Sequence, residues 1–351
     1  MTHEPGTQST RRTIARLVTR RPLFVVGAVL LATFAAACSS TGDARPAGTD
    51  ARPGDTDAET SSAIYVSTQS GQLISVDPVR KAAGVLWERS DTQLPVFGVG
   101  PTANSEGLYV LLGDTAFPVE TSLHEVTNGS ITPAKTDVGN QAICLDNHQR
   151  SSIPLAHQAT KPADDGATHF RPVSAGGEAI IDPWVTAERA SVFCPRWTSQ
   201  RDTVLTTVAH DDSAAIETRL LIERSDEQFS IAVAGCLLTP MSISPDDKLV
   251  AISALCLESE ASLAGLYLLN LSTLDSTTSF SDLRKIAAGN FGNGSWDPTG
   301  ALFVAARTGD TPDEQATLTI IDVATTEMTE LTLPDGSAAH TVAWLPSAIH
   351  E

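Results

Sequence analysis

Residues able to carry chemistry crowd one stretch of the 351-residue chain. Residues 146–172 hold His148, His157 and His169, with Asp164 and Asp165 between the last two. Three imidazoles with carboxylate oxygens are donors that a zinc ion accepts. Their spacings, 9 and 12 residues, match neither one face of a helix nor a compact chelate. The segment therefore reads as a polar surface insertion with three ligand-binding candidates, His148, His157 and His169, and no metal site is assigned. Asp310, Asp313 and Glu314 in RTGDTPDEQ lack the ligand spacing of a calcium loop and read as a solvated acidic turn, and Asp211 and Asp212 after His210 read as a blade-tip turn. The sequence has no GxSxG elbow, HExxH helix, phosphate loop or GxGxxG fingerprint. No residue is assigned a catalytic role, and no cofactor is expected.

Sulfur is the second resource. Five cysteines occur: Cys38, Cys144, Cys194, Cys236 and Cys256. None forms a CxxC pair, so dithiol redox catalysis is not indicated. Cys38 closes an N-terminal pattern. Residues 1–22 carry five arginines, and Leu23 to Ala37 is an apolar run of 15 residues, short of the roughly 20 that span a bilayer. Basic, then apolar, then small residues is the order of a secretory signal peptide. An exported chain permits disulfides. The four remaining cysteines allow three pairings.

The tripeptide Ala35-Ala36-Ala37 before Cys38-Ser39-Ser40 resembles a bacterial lipoprotein signal. The resemblance implies that residues 1–37 are removed and that Cys38 becomes a lipidated N-terminus on the extracytoplasmic face of the cell membrane. Ala35 stands where that family prefers Leu. An ordinary signal-peptidase cut after Ala37 is the alternative. Thr19-Arg20-Arg21 also permits twin-arginine export beside the general route.

Residues 39–62 carry no large apolar side chain and are rich in Gly, Pro, Asp and Thr. Such a composition cannot bury a core and reads as a disordered tether. With Cys38 it makes a second region, 38–61, ahead of a folded region, 62–348. The tether would span about 27 Å on average as a flexible coil. The whole chain carries net charge −19. Removing five arginines and Glu4 with residues 1–37 leaves −23. That charge excludes nucleic acid as a partner and argues against docking on anionic lipid through the protein surface. Contact with the membrane is then through the lipid alone, the folded domain is expected to be a monomer, and the expected partner is another envelope protein.

The folded region is organised around Met241 to Cys256, MSISPDDKLVAISALC. Pro245 presets a turn, and Asp246 and Asp247 can bond their own backbone. Lys248 to Cys256 is apolar on both faces, as suits a strand covered on both sides. If Pro245 pairs near Lys248, Cys236 falls within one residue of lying opposite Cys256. That favours a Cys236–Cys256 disulfide and leaves Cys144 with Cys194.

Looser versions of this unit recur. First strands anchor on Val99, Cys144, Trp197, Ile243, Trp296 and Trp344, at intervals of 45, 53, 46, 53 and 48 residues. Each interval holds about four short apolar runs separated by turn residues. Four antiparallel strands every 40 to 50 residues is the period of a β-propeller blade. The last repeat stops after one strand, at Thr341–Trp344. The first ordered runs, Ala63–Thr68, Leu73–Asp77 and Val85–Glu88, lack a first strand. Joining the two ends completes a sixth blade and closes the ring. Seven blades is the alternative, if residues 146–190 hide another repeat. Trp197, Trp296 and Trp344 share one repeat position and are expected to pack between blades.

SISPDDKLVAIS, GSWDPTGALFVAA and VAWLPSA resemble the S-P-D-G-x-x-[IL]-A-[FY] repeat of TolB-like, WD40-like propellers. The resemblance implies an all-β, six-bladed propeller of four-stranded antiparallel blades, its ring closed by the C-terminal strand. It also implies a non-catalytic module that binds a protein or ligand. The alternative is a propeller enzyme, a metal-dependent lactonase or a glycan-active hydrolase, with acids gathered around the central channel. A structural spacer on the cell surface is the third reading. Asp247 replaces the usual turn glycine of the motif.

Overall fold

In the computed structural model the described fold lies within residues 51–351. The structure describes residues 62–68, 70–89, 96–101, 107–113, 121–127, 130–133, 142–145, 156–159, 169–173, 184–185, 190–192, 195–200, 202–212, 215–224, 227–308, 317–334 and 338–346. Cys38 lies outside them.

Short runs of β-branched and leucine side chains between turn residues make strands, and the described chain has almost no helix. β1 (Ser62–Thr68), β2 (Leu73–Asp77) and β3 (Ala82–Trp87) come first. β4 (Val96–Pro101), β5 (Leu108–Gly113), β6 (Thr121–Thr127) and β7 (Ser130–Pro133) make one four-stranded sheet. β8 (Ala142–Leu145), β9 (Ala156–Ala159), β10 (His169–Val173) and β11 (Trp184–Val185) make the next. In the following sheet β12 (Ala190–Val192) and β13 (Arg196–Trp197) both pair with β14 (Thr203–Asp212), and β15 (Ala215–Arg224) and β16 (Glu227–Ile231) complete it. β17 (Cys236–Ile243), β18 (Leu249–Cys256), β19 (Gly265–Asn270) and β20 (Arg284–Ala288) form the hairpin-centred sheet. β21 (Asn290–Trp296), β22 (Leu302–Thr308), β23 (Thr317–Asp322) and β24 (Met328–Leu331) form another. The last strand, β25 (Ala339–Pro346), returns to β1, giving the order β25-β1-β2-β3. The described strands thus make six sheets, every pair antiparallel.

Side chains from facing sheets share four apolar clusters. Leu220, Ile222, Val250 and Ile252 join the β14–β16 sheet to the β17–β20 sheet. Ala251, Leu268, Trp296 and Phe303 join that sheet to β21–β24. Val304, Ile320, Ile64 and Trp344 join β21–β24 to the first sheet. Tyr65, Leu73, Val99 and Val110 join the first sheet to β4–β7. Central strands are therefore covered on both faces, as the run LVAISALC requires.

The β17–β18 hairpin follows the expected register near its turn, with Ile243 opposite Val250. A bulge between Pro240 and Ser242 inserts one residue and shifts the pairing by one. Beyond it Cys236 stands directly opposite Cys256, and the two form a disulfide with Cα atoms 4.0 Å apart. The irregularity closes the one-residue gap that a plain hairpin would have left.

Trp296 is buried and meets the Phe303 ring edge-on, centroids 5.2 Å apart. Its Nε1 donates to the Ser242 carbonyl of the neighbouring sheet, 3.2 Å away. The Trp344 amide donates to Ser295 Oγ at 3.0 Å, and its Nε1 donates to Ser62 Oγ at 3.0 Å. Both indoles pack between sheets, as their repeat position predicts.

One expectation is corrected. Residues 146–172 are not simply a long polar connection. They contribute β9, paired with β8, and most of β10. AHQA and HFRPV carry too few apolar residues to show a period of two, so backbone pairing within the sheet supplies what side-chain patterning does not. Asp211 and Asp212 are likewise strand residues at the tip of β14, opposite Ile216 and Ala215. No seventh sheet occurs among the described residues.

Replacing both bridged cysteines, Cys236→Ala with Cys256→Ala, is expected to cost about 3 kcal/mol, the loop-closure value for a loop of roughly 20 residues. A urea midpoint unchanged from the parent would show that the bridge contributes nothing.

Candidate functional site

The first turn of each well-formed repeat is built alike. A polar side chain follows directly on the inner strand: Thr198 after Trp197, Ser244 after Ile243, Asp297 after Trp296. Each accepts from the amide five residues on. The bonds are Thr203 N to Thr198 Oγ1 at 3.3 Å, Leu249 N to Ser244 Oγ at 2.9 Å and Leu302 N to Asp297 Oδ1 at 2.7 Å. The residue three beyond that polar side chain must enter the left-handed region in the second and third of these turns. Gly300 does so at φ 76° and Asp247 at φ 59°. Glycine adopts this conformation freely, while aspartate tolerates it at a modest cost.

Asp247 uses its side chain where glycine has none. Its Oδ1 accepts from the Ser199 amide at 2.9 Å, and Ser199 Oγ donates to Oδ2. Ser199 belongs to the turn of the preceding sheet, so the carboxylate clasps two sheets at their ends. At Gly300 the equivalent direction leads to Pro245, whose Cδ would lie 3.5 Å from an added Cβ.

Beside this clasp lies an open cleft of about 310 Å³, lined by Thr198, Asp202, Thr203, Arg224, Asp247 and Ser272 among others. Thr198 Oγ1 donates to Asp202 Oδ1 at 2.7 Å. The Arg224 guanidinium donates to Thr203 Oγ1 at 3.4 Å and to the Leu271 carbonyl of the next sheet at 2.6 Å. Two carboxylates, one guanidinium and hydroxyls thus line the cleft, bonded to neighbouring side chains and backbone. Among the described residues no group of three or more His, Cys, Asp and Glu is placed to hold a metal ion.

The histidine candidates fare differently. His148 lies outside the described residues. The backbone places His157 in β9 opposite Pro172, and His169 in the neighbouring β10 opposite Val185. Cys144 lies in β8, while Cys194, Asp310, Asp313 and Glu314 lie outside the described residues. Asp202 and Arg224 were not singled out from sequence. The usable signal was the polar residue after each inner strand, which marks the end where this cleft forms.

Elsewhere carboxylates hold turns. Burial would raise the Asp246 carboxyl, but bonds from Ser244 and Lys248 and the Lys248 charge hold it below its ordinary value. Asp275, Asp282 and Asp322 are also held low, by hydroxyl and amide donors of Thr277, Ser279 and Thr325 respectively. His340 is pushed below its ordinary 6.5 by burial, against a bond to the Val96 backbone that raises it. His124 is lowered by burial too.

No family model matches the chain, and no curated protein matches it in sequence. Solved structures do. TolB from Acinetobacter baumannii superposes with TM-score 0.55 at 12% identity over 82% of this chain and 67% of that one. A protein described as TolB from Agrobacterium tumefaciens superposes with TM-score 0.52 at 12% identity, over 82% of this chain and 99% of the other. The chain has a TolB-like β-propeller fold. At this identity the likeness concerns the fold alone.

Two outcomes are expected. In a double-mutant cycle, Ser199→Ala and Asp247→Gly should couple by about 1 kcal/mol, the worth of the bond from the Ser199 hydroxyl to a partly exposed carboxylate; additive effects would mean that this hydroxyl does not help to hold the sheets. Stability should also fall in two acid phases. Histidines depressed in the fold add stability that is complete above their ordinary 6.5 and is lost as pH falls below it. The depressed carboxylates do the same below 3.8. Thermal melts of His340→Gln should show a smaller first phase and an unchanged second one.

Proposed function

We propose that this protein is an extracytoplasmic lipoprotein whose propeller is a non-catalytic binding module. In this reading residues 1–37 are cleaved, Cys38 carries the lipid, and residues 39–61 hold the propeller off the membrane. The propeller has six blades, one for each described sheet, and β25 pairing with β1 closes the ring.

The observation that carries the non-catalytic reading is the use made of the acids. Asp246, Asp247, Asp275, Asp282, Asp297 and Asp322 all accept bonds from nearby amides or hydroxyls in the turns that shape the sheets. Of these, Asp246, Asp275, Asp282 and Asp322 are held below their ordinary carboxyl value by those bonds, and carboxylates so held are poor general acids. The polar cleft beside Asp247 then serves recognition, and the lipid anchor favours a partner within the envelope.

Cys38→Ser is expected to move the protein from the membrane fraction to the soluble one. Retention of that variant on membranes would refute the anchor. Crosslinking in intact cells, with the tether in place, should then capture an envelope protein above a tag-only control; a metal ion or hydrolase activity recovered with the purified chain would instead favour an enzyme.

A further inference from the structure

The charges around the cleft beside Asp247 do not neutralise one another. Asp202, Asp247 and Arg224 all line it. Arg224 is half-buried, and a cation drawn out of water is commonly matched by a carboxylate. Acids outnumber basic residues 42 to 23 in this chain, so a partner is easily supplied. Yet among the described residues Arg224 forms no ion pair. Its cross-strand neighbours are Thr203 on β14 and Glu227 on β16, and it bonds Thr203 and not Glu227.

The guanidinium is held in place and still has capacity. Nε donates to Thr203 Oγ1 and Nη2 to the Leu271 carbonyl. Those bonds use two of its five N–H groups. The remaining N–H groups have no protein partner among the described residues, and they suffice for the two-point grip of a carboxylate. A side chain already fixed by two bonds loses little freedom on taking a ligand. The acidic side is similar. Asp202 spends Oδ1 on the Thr198 hydroxyl, and its other oxygen has no protein partner among the described residues. Thr198 in turn accepts from the Thr203 amide, so the two threonines tie Asp202 and Arg224 into one wall. Asp247 adds a second negative charge, bonded to Ser199.

We propose that this cleft binds a small zwitterion of the α-amino acid class, its carboxylate on Arg224 and its ammonium on Asp202. Charge decides against simpler ligands. Two carboxylates and one guanidinium give the lining a net charge of −1. A dianion such as phosphate is repelled by that sum, and an amine alone leaves the guanidinium unanswered. A zwitterion meets both signs and adds no net charge. The volume, about 310 Å³, lies at the lower end of the range for ligand pockets and suits one small molecule. The assignment rests on the recognition role proposed above for the cleft.

Isothermal titration of the purified full-length chain with each of the common L-amino acids in turn tests it. At least one should bind saturably. Its decarboxylated amine and its deaminated acid should each bind at least about tenfold more weakly, because each loses one charge-assisted bond. Asp202→Asn keeps an acceptor for Thr198 and should melt like the parent, yet weaken binding about tenfold; Arg224→Lys, which loses the fork, should weaken it as well. No saturable binding by any amino acid, or binding untouched by Asp202→Asn, would overturn the proposal. Capture of an envelope partner in cells separates the two readings. Capture that is lost with Asp202→Asn while no amino acid binds overturns the zwitterion and keeps the recognition role of the cleft. Capture that survives Asp202→Asn, again with no amino acid bound, removes both.

Discussion

The structure depends on covering sheets that are apolar on both faces. In β18 and β22 consecutive buried residues serve two different clusters, one on each side. Val250 and Ile252 face the preceding sheet, Ala251 the following one, and Phe303 and Val304 divide in the same way. Such a sheet gains stability only between two neighbours. Stacking four-stranded sheets side by side satisfies the demand repeatedly, and the final strand joining β1 supplies the inner strand that the first sheet lacks.

Polar bonds index this stack. Thr207 Oγ1 on β14 donates to the Leu238 carbonyl on β17 at 2.5 Å, and Ser253 Oγ on β18 donates to the Phe291 carbonyl on β21 at 2.6 Å. The two bonds occupy equivalent repeat positions. Each runs from a second strand to a carbonyl on the first strand of the next sheet. Buried carbonyls left unmet would cost about 1–3 kcal/mol each. The hydroxyls therefore fix how one sheet seats on the next, a specificity that apolar packing alone does not provide.

The acidity of the chain has a structural share. Asp297, Asp322 and Asp246 each gather amides of their own turn, and Asp247 reaches across to the neighbouring turn. Charge that reads from composition as solubility is partly the material of the turns. The outer strands β16, β20 and β24 show the complementary use of charge, as edge protection.

Strand periodicity, the alternation of apolar runs with turns, the out-of-phase ends and the near-opposition of Cys236 and Cys256 are all legible in the amino-acid order. Those follow from local chemistry: Pro and Asp fix turns, and β-branched runs too short for helices become strands. The one-residue bulge that aligns the cysteines emerges only on folding, because a bulge arises from pairing and not from composition. Tertiary pairing alone makes strands of residues 156–159 and 169–173, since their backbone bonds to neighbours replace the missing apolar pattern. It also decided that Asp247 meets Ser199 across 48 positions of sequence, that Asp202 and Arg224 share a cleft, and that β3 lies at a sheet edge. Each of these is a contact between distant segments, set by how twisted sheets pack, and no local spacing encodes it.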